Sequence, residues 1–524
     1  MKRYLLLICL SILSILSIHI PVQADDNRPV LLVYDSENIY YNGSKKIDSV
    51  QRMLTADGLK IKAVMLENYR SGELSDNKYR GVVTLINWQE ADLSNDSFTH
   101  DRAKFSGTKL HIGPNLQDDE LEGLHAKKGM IIRQQLTLSD DGITEQIPYT
   151  NRMEYLVDVA GSDKYGVLNT QNVGNQKTLP YGVKVDSNAF LPFWNTSGLA
   201  VNCEEKLIAD LFNTKTDSRP LLVINNVTPT SNLEYLDKLV DDLYRNNIPF
   251  AVSATNVEGN TNQFAYKKYM YSLRMIELKN GIIFMRVPYL YSYYTGKEIN
   301  AQNLKATMSE RLQLMVRSGV YPTGLSTPNH WNQDAVLGKV GLKSASNVLL
   351  LPDPKTYPKV KQTDYSQEFD KAYYVMSLKD LDKAKTTVSL TKANNLNYTL
   401  PTALNIKMPR TLSELRKVEK SVSRSELNWE NPAAEDNSRE MNFAKMKLEY
   451  HAGTYFVNGN EQNISDTAPV QKKHKHKEYQ ETGLNLILSY QGKFLTVFIL
   501  VTLIGFVLLI YKGRKVYWDK FKRK

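Results

Sequence analysis

Short, fully apolar runs recur along the first part of the chain and set its architecture. Pro29-Val-Leu-Leu-Val-Tyr34 is apolar on both faces, the pattern of a strand buried in a parallel sheet. A helical stretch over Lys46 to Ala56 follows, then strands over Lys60–Val64, Gly81–Ile86 and Lys109–Gly113. Strands alternating with helical segments predict an open α/β sheet over residues 25–128. From residue 129 to 215 the pattern changes to short alternating strands, read as an appended β layer. Tyr165-Gly-Val and Tyr181-Gly-Val, sixteen residues apart, predict neighbours in an antiparallel sheet.

Residues 216–455 return to strand–helix alternation. Leu221–Ile224 is a strand, and Ser231-x-x-Glu234 is a capping box opening a helix whose apolar face is Leu233, Leu236, Val240 and Leu243. Pro249–Ser253 is the next strand, giving a βαβ unit of the kind a (β/α) barrel repeats. Leu304–Arg317 is a further helix, placed ahead of a strand over Val320–Gly324. Segments 397–401 and 404–408 close the barrel, and a helix over 411–425 carries a Thr411-x-x-Glu414 box.

Asn225 and Asn226 end the first of these strands in Leu-Leu-Val-Ile-Asn-Asn-Val-Thr-Pro. The segment resembles the first motif of the polysaccharide deacetylases, in particular a divergent secreted branch, where Asp-Asp stands at this place. In that family one aspartate is the catalytic base and the other binds the metal; here both are amides. An amide neither takes a proton from a metal-bound water nor offers the anionic oxygen that Zn²⁺ favours. Asn280–Leu290 is similar to the family's second motif, with Arg286 and Leu290 where two metal-binding histidines fall. A guanidinium repels a divalent cation, and leucine has no lone pair to offer.

The third motif is closer: Gly324-Leu-Ser-Thr-Pro-Asn-His330-Trp331 is similar to a family segment that walls the substrate groove. The resemblance implies a distorted (β/α) barrel that has lost its metal site, so no metal ligand and no cofactor are expected. Asn225, Asn226, Arg286, Tyr289, His330 and Trp331 are the expected substrate-binding residues. Tyr289, Tyr291, Tyr293 and Tyr294 with Trp331 would stack on the apolar faces of sugar rings, while the asparagines bond hydroxyls. Ordinary packing of the tyrosines and an Asx-turn at the asparagines are the competing readings. The N-terminal layer resembles flavodoxin-like or amidotransferase-like layers, without a Gly-rich phosphate loop or a nucleophile elbow. Asp35-Ser36-Glu37, at the end of its first strand, is read either as a ligand site or as a solvated turn.

The ends of the chain predict where it resides. Lys2-Arg3, an apolar run over 4–18 and Val22-Gln-Ala24 read as a signal peptide over 1–24. Phe494–Tyr511 is eighteen residues without a charge, about 27 Å as a helix at about 1.5 Å per residue, enough to cross a bilayer. It follows a linker over 456–493, where Lys472-Lys-His-Lys-His-Lys477 stands, and precedes a basic tail over 512–524 that should stay in the cytoplasm. A single-pass protein with a large extracellular part is expected.

The formal charge of +10 is concentrated at these ends: two cations in the leader, and seven against Asp519 in the tail, leave about +2 elsewhere. That balance argues against a nucleic-acid binder. Cys9 and Cys203 are the only cysteines, and Cys9 lies in the leader, so no internal disulfide is expected.

The expected function is a catalytically degenerate deacetylase-like protein that binds or guides a cell-surface polysaccharide, as an accessory of an exopolysaccharide synthase in the membrane. Two alternatives stand beside it. One is an active glycan deacetylase or hydrolase using His330 with acidic residues elsewhere; the other is a structural partner of a membrane-embedded synthase.

Overall fold

The apolar runs fold as strands. The computed structural model describes residues 27–522 apart from 39, 41, 89–94, 160, 172–175, 215, 217, 290–299, 358–362, 382–384, 394–395, 435–436 and 471–482. The leader, Tyr291, Tyr293, Tyr294, Leu290 and the Lys472–Lys477 cluster lie outside the described residues. Residues up to Pro469 make one unit and Val470–Lys524 a second.

Strands β1 (Val30–Tyr34), β2 (Ile61–Met65), β3 (Gly81–Leu85) and β4 (Thr108–Ile112) pair in parallel in the order β2-β1-β3-β4. β5 (Lys127–Gln134) pairs with β8 (Thr150–Val157) as a separate ribbon. β6 (Leu136–Asp140), β7 (Ile143–Gln146), β9 (Asp163–Thr170), β10 (Thr178–Val185) and β11 (Asn188–Leu191) continue the first sheet, because β11 runs parallel to β4. Most of the strands read as an appended layer thus extend the first sheet. The two Tyr-Gly-Val strands are antiparallel neighbours, with Gly182 opposite Tyr165.

β12 (Leu221–Val227), β13 (Ala251–Ala254), β14 (Ile282–Arg286), β15 (Gly324–Pro328), β16 (Asn347–Leu351), β17 (Lys371–Ser377) and β19 (Thr402–Lys407) form a closed parallel barrel, the order of listing being the order around it. The strand expected at Val320–Gly324 falls four residues later, and 397–401 supplies only an isolated bridge from Tyr398 to Ser218. Helices Leu233–Arg245, Phe264–Leu278, Ala301–Arg317 and Leu412–Ser423 accompany the strands. The first starts at Asn232, whose side chain accepts the Tyr235 amide, so Ser231 is not its cap. Thr411 does cap the last, accepting from the Glu414 amide at 3.2 Å.

Among the described residues the connection from β16 to β17 contains no helix. The N-terminal layer supplies one: helix Gly43–Ala56 lies against β17, eleven of its fourteen residues buried. Ser49 meets the Tyr374 hydroxyl at 2.8 Å, and Arg52 donates to the Val375 carbonyl at 2.8 Å. The exchange is reciprocal, since β18 (Lys385–Thr386) joins the edge of the ten-stranded sheet beside β7. One apolar cluster runs through both halves. A third sheet, Arg439–Phe443 to Asn460–Gln462, underlies the barrel, so residues 456–462, expected in a linker, include strand residues of the large unit.

Cys203 is free and buried, and burial raises its thiol pKa well above the ordinary value. The second unit is helix Gly483–Phe521, of which Tyr490–Trp518 has a mean hydropathy of 2.8. It is long and apolar enough to cross a membrane.

Candidate functional site

Strand register decides what faces into the barrel. Ser253 on β13 donates to Ser326 on β15 at 2.7 Å, across the intervening β14, which requires both side chains on the concave side. On β17, Tyr373 meets Phe284 with ring centroids 6.3 Å apart, whereas Tyr374 faces the outer helix Gly43–Ala56. In a parallel sheet, laterally paired residues share a face and alternate residues share it along each strand. The inward set around the carboxyl end is therefore Asn225, Ser253, Arg286, Ser326, Leu351, Ser377, Asn405 and Lys407.

The amino-terminal end is plugged. Arg439 sits 5.6 Å from the centre of the Phe284 ring and donates to the Tyr373 hydroxyl at 3.2 Å, and that hydroxyl bonds Glu430 at 2.8 Å. That leaves the carboxyl ends of the strands as the rim to consider, the usual functional end of such folds.

At that rim Arg286 is half-buried and donates to Ser326 Oγ at 3.3 Å. Among the described residues it meets no carboxylate. Burial alone pushes its pKa down, to about 10, so it stays cationic near neutral pH. Asn225 is half-buried; its backbone carbonyl accepts the Met408 amide at 2.9 Å, and its side-chain oxygen takes the Asn226 amide at 2.8 Å. Asn226 is exposed with φ 62°, a left-handed conformation that asparagine tolerates best among residues with a side chain. The amides therefore have different roles: Asn225 looks into the barrel, and Asn226 turns the chain out of it.

Tyr289 is 71% exposed beside this rim. Trp331, expected in the groove, is only 3% exposed, with its ring where a Cβ on Gly341 would fall at 2.8 Å. It is a core residue of the short helix His330–Gln333.

His330 departs from the barrel mouth toward the seam with the N-terminal layer. Its Nδ1 and its backbone amide both lie 2.8 Å from Asp353 Oδ1, and its ring stacks on Tyr357 at 4.7 Å. Asp353 is the acidic partner that sequence reasoning did not find; it follows β16, and nothing local marks it. Asp48 accepts the Asp353 amide at 3.4 Å and is paired with Arg52 at 3.0 Å. Burial pushes the Asp48 carboxyl up to about 7 despite that cation. Tyr357 is raised as well, by burial first and then by Asp353, Glu37 and Asp48, so the end of β1 and the barrel rim share this seam.

Asp35, the nearer residue of the Asp35-Ser36-Glu37 turn, accepts the amides of Asn87 and Trp88 at 2.7 and 2.9 Å. It clasps β1 to the loop after β3. A groove of about 650 Å³ lies at the opposite, amino-terminal face, between Tyr244, Asn247, Asn280 and Trp429. Its asparagines serve helix ends: Asn247 and Asn280 have φ of 53° and 60°, and Asn246 bonds the Asp242 carbonyl. We therefore place the candidate site at the carboxyl rim.

The donors at that rim do not suit a divalent metal. The inward set holds amides, hydroxyls and two cations, and among the described residues no three His, Cys, Asp or Glu side chains cluster. Compared with family models and with curated proteins, the chain matches neither.

Proposed function

We propose that this chain is a membrane-anchored, catalytically degenerate deacetylase-like protein that binds or guides a cell-surface glycan. In this reading the large unit is extracellular, helix Gly483–Phe521 holds it to the membrane, and the basic end lies in the cytoplasm. A role beside an exopolysaccharide synthase fits that arrangement. The observation that carries the reading is the inward face of the rim. Asn225, Ser377 and Asn405, each partly exposed, offer neutral donors and acceptors of the sort that hydroxyls match, and no carboxylate stands among them to bind a metal or remove a proton. Metal analysis of the purified protein, with acetate release from N-acetylated glycans, tests it. Neither stoichiometric zinc nor turnover is expected; finding both would overturn the reading.

A second reading is favoured by the His330–Asp353 pair. A carboxylate 2.8 Å from Nδ1 holds the proton there, leaving Nε2 free to act as a base, the arrangement of a hydrolase with a non-standard site. Glycan turnover abolished by His330→Ala, without loss of fold, would support it over the binder.

A further inference from the structure

We propose that the barrel mouth takes an acidic group of its polymer, a carboxylate or a phosphate, against the Arg286 guanidinium, with Lys407 on the same inward face. This rests on the glycan-binding reading and specifies which glycans it admits.

A guanidinium withdrawn from water is stabilised by an anion. The fully buried arginines of this molecule have one, Arg52 pairing with Asp48 at 3.0 Å, Arg102 with Asp119 at 2.7 Å and Arg439 lying 3.8 Å from Glu430, while half-buried Arg274 spends its fork on the carbonyls of Ser318, Ser465 and Thr467. Among the described residues half-buried Arg286 meets a hydroxyl and no anion or carbonyl: its partner is Ser326 Oγ, itself held by Ser253 at 2.7 Å. That two-serine brace fixes the side chain against the barrel wall and leaves the remaining donors of the fork for a ligand.

The second observation is positional. Lys407 lies beside Asn225 by strand register, is exposed, and is on the same face as Arg286. Among the described residues, those that strand register turns inward at the rim include two cations and no acid. Arg439, Tyr373 and Phe284 fill the floor below, and Arg286 lies at the carboxyl end of its strand, above it. Planar, two-pronged recognition of a carboxylate or a phosphate is what arginine offers over lysine.

The test titrates the full-length chain, in detergent, with hexagalacturonate, with a polyglycerol-phosphate oligomer and with neutral chitohexaose. It compares Arg286→Gln, Arg286→Lys and Asn225→Ala, each checked for an unchanged melting temperature. An acidic oligomer should bind about tenfold or more tighter than chitohexaose, and Arg286→Gln should remove that preference, as loss of a charge-assisted pair implies. Arg286→Lys should retain part of it, and Asn225→Ala should weaken acidic and neutral oligomers alike. A preference for hexagalacturonate identifies a carboxylate ligand, and one for the phosphate oligomer a phosphate; either supports the proposal if it depends on Arg286. Equal binding of acidic and neutral oligomers, unchanged in Arg286→Gln, overturns this inference while glycan binding stands. Binding of none of the three overturns both.

Discussion

Replacing Arg52 by methionine tests whether the N-terminal layer and the barrel are one folding unit. Arg52 lies on helix Gly43–Ala56 and pairs with Asp48 at 3.0 Å, both side chains under 10% exposed. It also donates to the Val375 carbonyl at 2.8 Å and lies 4.5 Å over the Tyr374 ring. Methionine keeps much of the stem but leaves Asp48 without its counter-ion and the carbonyl without its donor. Breaking a buried pair from one side costs about 3–5 kcal/mol, a large share of the roughly 5–15 kcal/mol typical of a domain.

The pH dependence has a definite sign. Asp48 is already raised to about 7 by burial with Arg52 opposing, and losing Arg52 raises it further. Stability that rests on a raised carboxyl is present below its unfolded pKa and is lost as pH climbs through the folded value. The deficit of Arg52→Met should therefore be larger at pH 8 than at pH 5, and Asp48→Asn with Arg52→Met should recover part of it. Urea unfolding of the full chain, followed by pulse proteolysis, reads this with antibodies against each half. Both halves should disappear in one transition at lower urea. A loss under about 1 kcal/mol, or separate transitions for sheet and barrel, would refute the reasoning.

Two further outcomes follow from the packing. Glu205 is buried and accepts the Thr399 and Leu400 amides at 2.5 and 2.6 Å, and burial pushes it up to about 8. Its contribution is full below about pH 4.5 and fades as pH rises through about 8, so the melting temperature of Glu205→Gln should gain on the parent between pH 5 and pH 8.5. A constant difference across that range would count against a neutral Glu205. At the barrel floor, a Cβ on Gly324 would lie 2.6 Å from the Phe284 ring and 2.9 Å from the Asn347 carbonyl. Gly324→Ala should therefore cost about 1–3 kcal/mol by overpacking, and an unchanged urea midpoint would contradict that floor geometry.

The strands with continuous apolar runs, β1, β3 and β12, were readable from the sequence because burial on both faces leaves a period-free apolar pattern. β17, Lys-Ala-Tyr-Tyr-Val-Met-Ser, was not: its inward Tyr373 and outward Tyr374 are both aromatic, and its hydroxyl partners come from distant parts of the chain. Helix Leu199–Leu211 has a weak sequence signature too, since Glu204 and Glu205 break its apolar pattern although both are buried and hydrogen-bonded.

At the site, Asn225 and Arg286 were recognisable as unusual residues, but which way they face depends on register, which a single sequence does not specify. Trp331 suits a groove wall by residue type, since aromatic faces stack on sugars, but its ring fills the core beside Gly341. Asp353 was invisible, as its pairing with His330 is made only by the juxtaposition of two neighbouring strand ends.

Hydrogen–deuterium exchange of the full-length chain, with and without the polysaccharide that promotes the largest rise in its melting temperature, bears most directly on the central claim. Protection concentrated at residues 225–228, 286–289 and 405–408, and reduced in Asn225→Ala, is the result expected of a sugar-holding barrel mouth. Protection confined to the His330–Asp353 seam, or absent from those three strand ends, would contradict it.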